Sequence, residues 1–186
     1  MNIPNSLTLI RIVLIPVFIL VFYLPFKWTH AAAAALFALG AFTDWLDGYL
    51  ARRLDQTSRF GAFLDPVADK LLVAVTLVLL VQEDPRVWLA ITAAIIIGRE
   101  IAVSALREFM AEMGQRSRVK VATVGKIKTT VQMLAIILML YQVPVGGVPV
   151  YEIGYILLVI AAGLTLWSMF VYLRAAWPSL RPGVDG

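Results

Sequence analysis

Six long apolar runs leave this chain few ways to fold. They lie at about Leu7 to Phe26, Ala31 to Leu50, Ala62 to Val81, Val87 to Leu106, Val121 to Tyr141 and Ile153 to Leu173, and each supplies the roughly 20 residues a helix needs to cross a bilayer core about 30 Å thick. Hydrocarbon offers backbone N–H and C=O groups no partner, so such runs are expected as helices that satisfy themselves. The expected fold is therefore all-α: a polytopic membrane protein with six transmembrane helices and both termini on one side, forming a single domain over residues 1–186. Composition agrees, since 61% of the residues are hydrophobic and only 15% charged, against roughly 45–50% apolar content in soluble domains.

Polar breaks separate the runs at Pro25 to Trp28, Arg52 to Arg59, Glu83 to Arg86, Met113 to Lys120 and Pro144 to Pro149. Of sixteen Lys and Arg residues, only Lys27 and Arg86 fall on the odd-numbered breaks, and the other fourteen lie toward the opposite face. The positive-inside rule makes that opposite face, with both termini, cytoplasmic. The net charge of +4 thus follows membrane topology and attracts anionic lipid, and no nucleic-acid role is assigned. Leu7 to Leu24 lacks a small-residue cleavage site and reads as an uncleaved first helix. Trp28, Trp88 and Trp177 sit near run ends, where amphipathic rings favour the interface. With no cysteine in the chain, a metal has only oxygen ligands or His30 to bind, and His30 belongs to the face away from the aspartates.

Ionised side chains inside spans are costly and tend to mark function. Four aspartates flank the second break. Asp44 and Asp47 are three residues apart, with Gly48 and Ala51 continuing the stripe, and beyond the break Gly61, Asp65 and Asp69 recur every four residues. Those spacings return to one helical face. A tight hairpin brings the four carboxylates together, where they repel and take up protons unless divalent cations neutralise them; hard oxygen ligands suit Mg2+, Mn2+ or Ca2+. Each acid has a blander reading. Asp65 before Pro66 suits a helix cap, and Asp44 or Asp47 suits pairing with Arg52 or Arg53, while the glycines permit close helix approach. All four sharing a face favours the metal site. Asp55, in the polar break, reads as solvated.

The string Asp44-Trp45-Leu46-Asp47-Gly48-Tyr49-Leu50-Ala51-Arg52, then eight residues to Gly61, three to Asp65 and three to Asp69, resembles the CDP-alcohol phosphotransferase signature at every fixed position. The likeness extends along most of the chain, through Ile3-Pro4-Asn5 with Thr8 and Arg11, Gly98-Arg99-Glu100, Leu106-Arg107-Glu108 and Gly125-Lys126-Ile127-Lys128-Thr129. There it is similar to the bacterial members that make phosphatidylglycerophosphate. The resemblance implies transfer of the phosphatidyl group of CDP-diacylglycerol to sn-glycerol 3-phosphate, with release of CMP. By position it makes Asp44, Asp47 and Asp65, together with Asp69, the ligands of two Mg2+ or Mn2+ ions. Asp69 would also be the general base that takes the acceptor hydroxyl's proton. Gly48, Ala51, Arg52 and Gly61 would line the nucleotide. It further implies a homodimer in the bacterial inner membrane, with the site facing the cytoplasm.

A phosphorylated acceptor needs cations, and Arg99, Arg107 and Lys126 are the candidates for its phosphate. Arg99, the deepest, also suits pairing with Glu100 or Glu108. Arg116, Arg118, Lys120 and Lys128 read as positive-inside or snorkelling residues. Asn5, Thr8 and Arg11 recur every three residues and suit capping or nucleotide contact. Two rivals stand beside this reading. One keeps the chemistry with inositol phosphate, serine or an amino alcohol as acceptor. The other is a divalent-cation transporter, which calls for acids near mid-membrane and broken helices in repeated halves, neither of which the sequence displays.

Overall fold

A computed structural model of the chain describes residues 3–54, 59–113 and 123–180. Within these it describes all side chains except those of 3–8, 44–45, 47–63, 65–66, 69, 123–126 and 175–180. Six helices make up the described residues: α1 Ile3–Phe22, α2 Thr29–Leu54, α3 Arg59–Glu83, α4 Val87–Glu112, α5 Thr123–Tyr141 and α6 Val150–Leu180. The only strand-like feature among them is an isolated bridge between Val145 and Val148. An all-α chain is thus observed, one helix per apolar run.

The ends depart from expectation for local reasons. α1 stops at Phe22, short of Phe26, because Pro25 pushes its predecessor out of helical geometry. The chain then turns through Tyr23 to Trp28, with Phe26 and Trp28 stacked at 5.8 Å and the Thr29 hydroxyl donating to the Phe26 carbonyl at 2.8 Å. Between α5 and α6, Gly146 and Gly147 both take positive φ, 59° and 83°, and close a two-residue turn of the kind that needs left-handed backbone twice. α2, α3, α4 and α6 run on past their apolar runs. At 31 residues, α6 is about 46 Å long at 1.5 Å per residue, well beyond a hydrocarbon core of about 30 Å.

Helix α5 lies inside the bundle, touching α2, α3 and α6, while α1 packs on α2 and α3, and α4 on α3 and α6. Phe18, Phe37, Leu77, Leu80, Leu89, Ile96, Ile136, Met139 and Leu158 fill the core. α5 and α6 approach closely enough that a Cβ on Gly154 would stand 2.8 Å from the Ala135 carbonyl oxygen. Outward, every one of these helices is apolar as well: Val13, Leu39, Val78, Ile101, Leu134 and Phe170 are among the exposed side chains. A soluble surface does not carry apolar residues all round its helices. α4 and residues 150–174 of α6 are each long and apolar enough to cross a membrane, and Trp28 and Trp88 are exposed near helix starts.

One end of the bundle is closed by polar contacts that join the first and third connections to the ends of α3 and α6. The Tyr23 hydroxyl donates to Gln82 Oε1. Arg86 Nε donates to Asp84 Oδ2 at 2.8 Å, Arg86 Nη1 meets Glu152 at 3.3 Å, and the guanidinium lies over the Tyr155 ring at 4.2 Å.

Candidate active site

The four aspartates lie on α2 and α3, which pack on each other. Asp47 stands seven residues before the last residue of α2 and Asp65 six after the first of α3, so both are about 9–10 Å along the axis at 1.5 Å per residue. Asp44 and Asp69 each stand ten residues in, about 15 Å by the same rise. The backbone thus places two acids on each of two touching helices, paired by depth from the helix ends, and carboxylate oxygens are the donor type that a hard divalent cation takes. The side chains of Asp44, Asp47, Asp65 and Asp69 lie outside the described residues, as do those of Gly48, Ala51, Arg52, Gly61 and Lys126. Among the described residues no group of three or more acids, histidines or cysteines is placed to hold a metal ion.

One blander reading is corrected by the backbone. α3 begins at Arg59, so Asp65 and Pro66 lie well inside the helix and Asp65 is not its N-cap. Proline in a helix interior removes a hydrogen bond and costs about 3 kcal/mol, which leaves the Asp65-Pro66 pair without a capping explanation. His30 is the second residue of α2, at the far end of that helix from Asp44 and Asp47. Asp55, Arg116, Arg118 and Lys120 lie outside the described residues, and so do the side chains of Asn5 and Thr8. Arg11 is 1% exposed and engaged by an interaction, so it is a buried, partnered cation rather than a surface one.

Two of the candidate phosphate cations, Arg99 and Arg107, lie on α4, which packs on α6. Arg99 is 6% exposed. Its Nη1 donates to Glu100 Oε1 at 2.9 Å and its Nη2 to Ser168 Oγ at 3.0 Å, so Glu100, rather than Glu108, is its acidic partner. Lys128 does not snorkel: it is 3% exposed, and its Nζ donates to the same Glu100 oxygen at 2.7 Å. Burial of an ammonium demands such a partner. Arg107 is exposed at its helix surface, yet its Nη2 donates to the Tyr172 hydroxyl at 3.2 Å. The Tyr172 ring faces both guanidinium groups, 5.7 Å from Arg99 and 5.4 Å from Arg107. Arg99 and Arg107 thus share an aromatic partner on α6, a contact that sequence spacing does not reveal.

This cluster is tied to the aspartate helices. Lys70, next to Asp69, donates to Ser104 Oγ on α4, and Ser104 donates in turn to the Glu100 carbonyl at 2.6 Å. Ser104 lies between Glu100 and Arg107 in the chain, so the contact sets the Asp69 segment level with the cations. Beside it, α3 and α4 line a half-open pocket of about 280 Å³ whose wall is apolar apart from Lys70 and Glu100. Lys70, Glu100, Ser168 and Tyr172 were not among the sequence candidates. Gly98-Arg99-Glu100 offered a signal for Glu100, but Ser168 and Tyr172 lie about seventy residues away in the chain and offered none.

Comparison with known proteins shows the family. Residues 1–167 match the family model of CDP-alcohol phosphatidyltransferase. A Pseudomonas fluorescens protein named CDP-diacylglycerol–glycerol-3-phosphate 3-phosphatidyltransferase is 60% identical over 97% of this chain and 93% of its own. Proteins of the same name from Sodalis glossinidius, 55% identical over 95% of both chains, and Yersinia enterocolitica, 52% identical over 97% of both, are similar along nearly their whole length. With acids on two packed helices, a cation cluster level with them, and a match covering nearly the whole sequence, the chain belongs to the CDP-alcohol phosphatidyltransferase family.

Proposed function

We propose that this protein is an enzyme that transfers the phosphatidyl group of CDP-diacylglycerol to sn-glycerol 3-phosphate, giving phosphatidylglycerophosphate and CMP. The names of its relatives support the substrates. The observation that carries the reading is the Lys70 to Ser104 contact, which sets the Asp69 segment beside the Arg99, Glu100 and Arg107 segment. A reacting hydroxyl and the phosphate on the same small acceptor need that proximity. Arg99, Arg107 and Lys126 hold the acceptor phosphate, which disfavours serine or an amino alcohol in its place. Asp69 accepts the proton of the attacking hydroxyl. Gly48, Ala51 and Gly61, lacking bulk, leave room for the cytidine, and Arg52 binds the nucleotide.

Asp44, Asp47, Asp65 and Asp69 are the residues that would hold two Mg2+ or Mn2+ ions, whose charge neutralises the pyrophosphate of the donor. In this reading the six helices all span the bacterial inner membrane as one domain, residues 1–186. Both termini and the aspartates face the cytoplasm, and the protein is a homodimer. The cation bias between the two faces supports the orientation.

The test is CMP release by purified protein in detergent, given CDP-diacylglycerol, Mg2+ and either glycerol 3-phosphate or inositol phosphate, serine or ethanolamine, beside Asp69→Asn. Release with glycerol 3-phosphate alone, lost in Asp69→Asn by a factor of about 10²–10⁴, is expected. Chelation is expected to abolish it, and Mg2+ or Mn2+ to restore it. Release with another alcohol overturns the acceptor assignment, and no release with any acceptor from folded protein overturns the enzyme reading in favour of cation transport.

A further inference from the structure

Two buried cations on different helices, α4 and α5, share one carboxylate oxygen. Arg99 Nη1 and Lys128 Nζ both donate to Glu100 Oε1, at 2.9 Å and 2.7 Å, and the charges of Arg99 and Arg107 both bear on Lys128. Left alone, like charges this close in a low-dielectric setting repel, so something must hold them together. Glu100 does so from α4, beside Arg99 and in reach of Lys128 on α5. It offsets only part of the charge, since two cations share its one carboxylate in the described ion pairs. Arg99 Nε, fully buried, has no hydrogen-bond partner among the described residues, although a buried guanidinium N–H without one costs free energy. An arrangement with surplus positive charge and a spare donor is made for an added anion.

We infer that Glu100 is a positioning residue that holds Arg99 and Lys128 as a paired-cation clamp for the acceptor's phosphate, with Lys128 a phosphate-binding residue beside Arg99. The inference rests on the proposed acceptor reading and deepens it. Glu100 touches neither the reacting hydroxyl nor the leaving group; it acts through the two cations.

Glu100→Gln, Glu100→Asp and, as a control, Arg86→Gln are compared with wild type in the CMP-release assay. Thermal midpoints and competition by inorganic phosphate against glycerol 3-phosphate are measured alongside. Arg86 makes ion pairs of the same kind at the opposite end of the bundle. Glu100→Gln is expected to raise KM for glycerol 3-phosphate and Ki for inorganic phosphate about tenfold or more. KM for CDP-diacylglycerol and kcat stay within about threefold, the pattern of lost acceptor binding. Glu100→Asp, which keeps the charge, recovers part of the loss, and Arg86→Gln lowers the thermal midpoint with both KM values unchanged. Should Glu100→Gln instead behave like Arg86→Gln, the pair is structural and the clamp is overturned. Should neither Glu100 variant fold, Ki for inorganic phosphate is read in Lys128→Met, and a value within about threefold of wild type overturns the clamp. A wild-type protein that releases no CMP with glycerol 3-phosphate refutes the proposed function instead, a separate outcome read before any variant.

Discussion

Arg99 uses both ends of its fork, donating to Glu100 on its own helix and to Ser168 on α6 at 2.9 and 3.0 Å. A lysine offers one compact ammonium and cannot span the two. Arg99→Lys is therefore expected to raise KM for glycerol 3-phosphate about ten- to a hundredfold while retaining the charge, checked by acceptor titration at saturating CDP-diacylglycerol. Tyr172 separates two other contributions. Tyr172→Phe loses the hydroxyl that accepts from Arg107 but keeps the ring against both guanidinium groups, so its effect on the same KM is expected to stay within about threefold. Tyr172→Ala loses ring and hydroxyl and is expected to cost about 1–2 kcal/mol in acceptor binding. At this scale the sequence showed which residue types were present and at what spacing. It named Arg99 and Arg107 because cations near a span end are visible in a string. It misjudged Lys128 as a snorkelling residue, because burial depends on what the folded bundle places around a side chain, here with Glu100 of α4 in reach of it.

Helix packing depends on a few contacts between elements far apart in sequence. Gly154 lets α6 approach α5, and any Cβ there meets a backbone oxygen, which cannot rotate away, at 2.8 Å. Gly154→Ala is expected to lower stability by about 1–3 kcal/mol, the range for overpacking, measured by thermal unfolding in detergent, with little change at Gly163, where a Cβ meets nothing within 4 Å. The clasp at the other end joins the α3 to α4 connection to α6. Hydrogen bonds from Arg86, and then from Tyr151, hold the Asp84 carboxyl below its ordinary pKa of 3.8, against partial burial. A carboxyl lowered on folding stabilises the fold above its unfolded pKa and loses that contribution as pH falls through the folded value. The difference in thermal midpoint between wild type and Asp84→Asn is therefore expected to hold steady from pH 7 down to about 4 and to close below that. Element number and order were legible, since six apolar runs became six helices. Helix ends were less so: α1 stops at Phe22, short of the Phe26 that its apolar run reaches, and α3 begins at Arg59, ahead of its run at Ala62, because turn chemistry and packing set the termini that hydropathy alone leaves open.

The bundle as a whole shows apolar side chains outward along every helix, polar contacts at one end, and aspartates and cations toward the other. A cysteine-free chain makes the proposed orientation directly testable. Single cysteines at Lys27 and Val148 are expected to react in intact cells with a membrane-impermeant maleimide, whereas one at Glu112 is expected to react only after lysis; the reverse pattern overturns the cytoplasmic placement of the site. By itself, the sequence determined that the chain is helical and apolar enough for a membrane, and that four acids recur at helical spacing beside one connection. Each of these is periodicity or composition within a single stretch of chain. Only the tertiary structure decided that Lys70 reaches Ser104, that Glu100 is shared by Arg99 and Lys128, and that Ser168 and Tyr172 of α6 complete the cation cluster. Such contacts join residues up to about seventy positions apart. Which faces of α4, α5 and α6 meet is settled by how the whole bundle packs, and no local pattern encodes it.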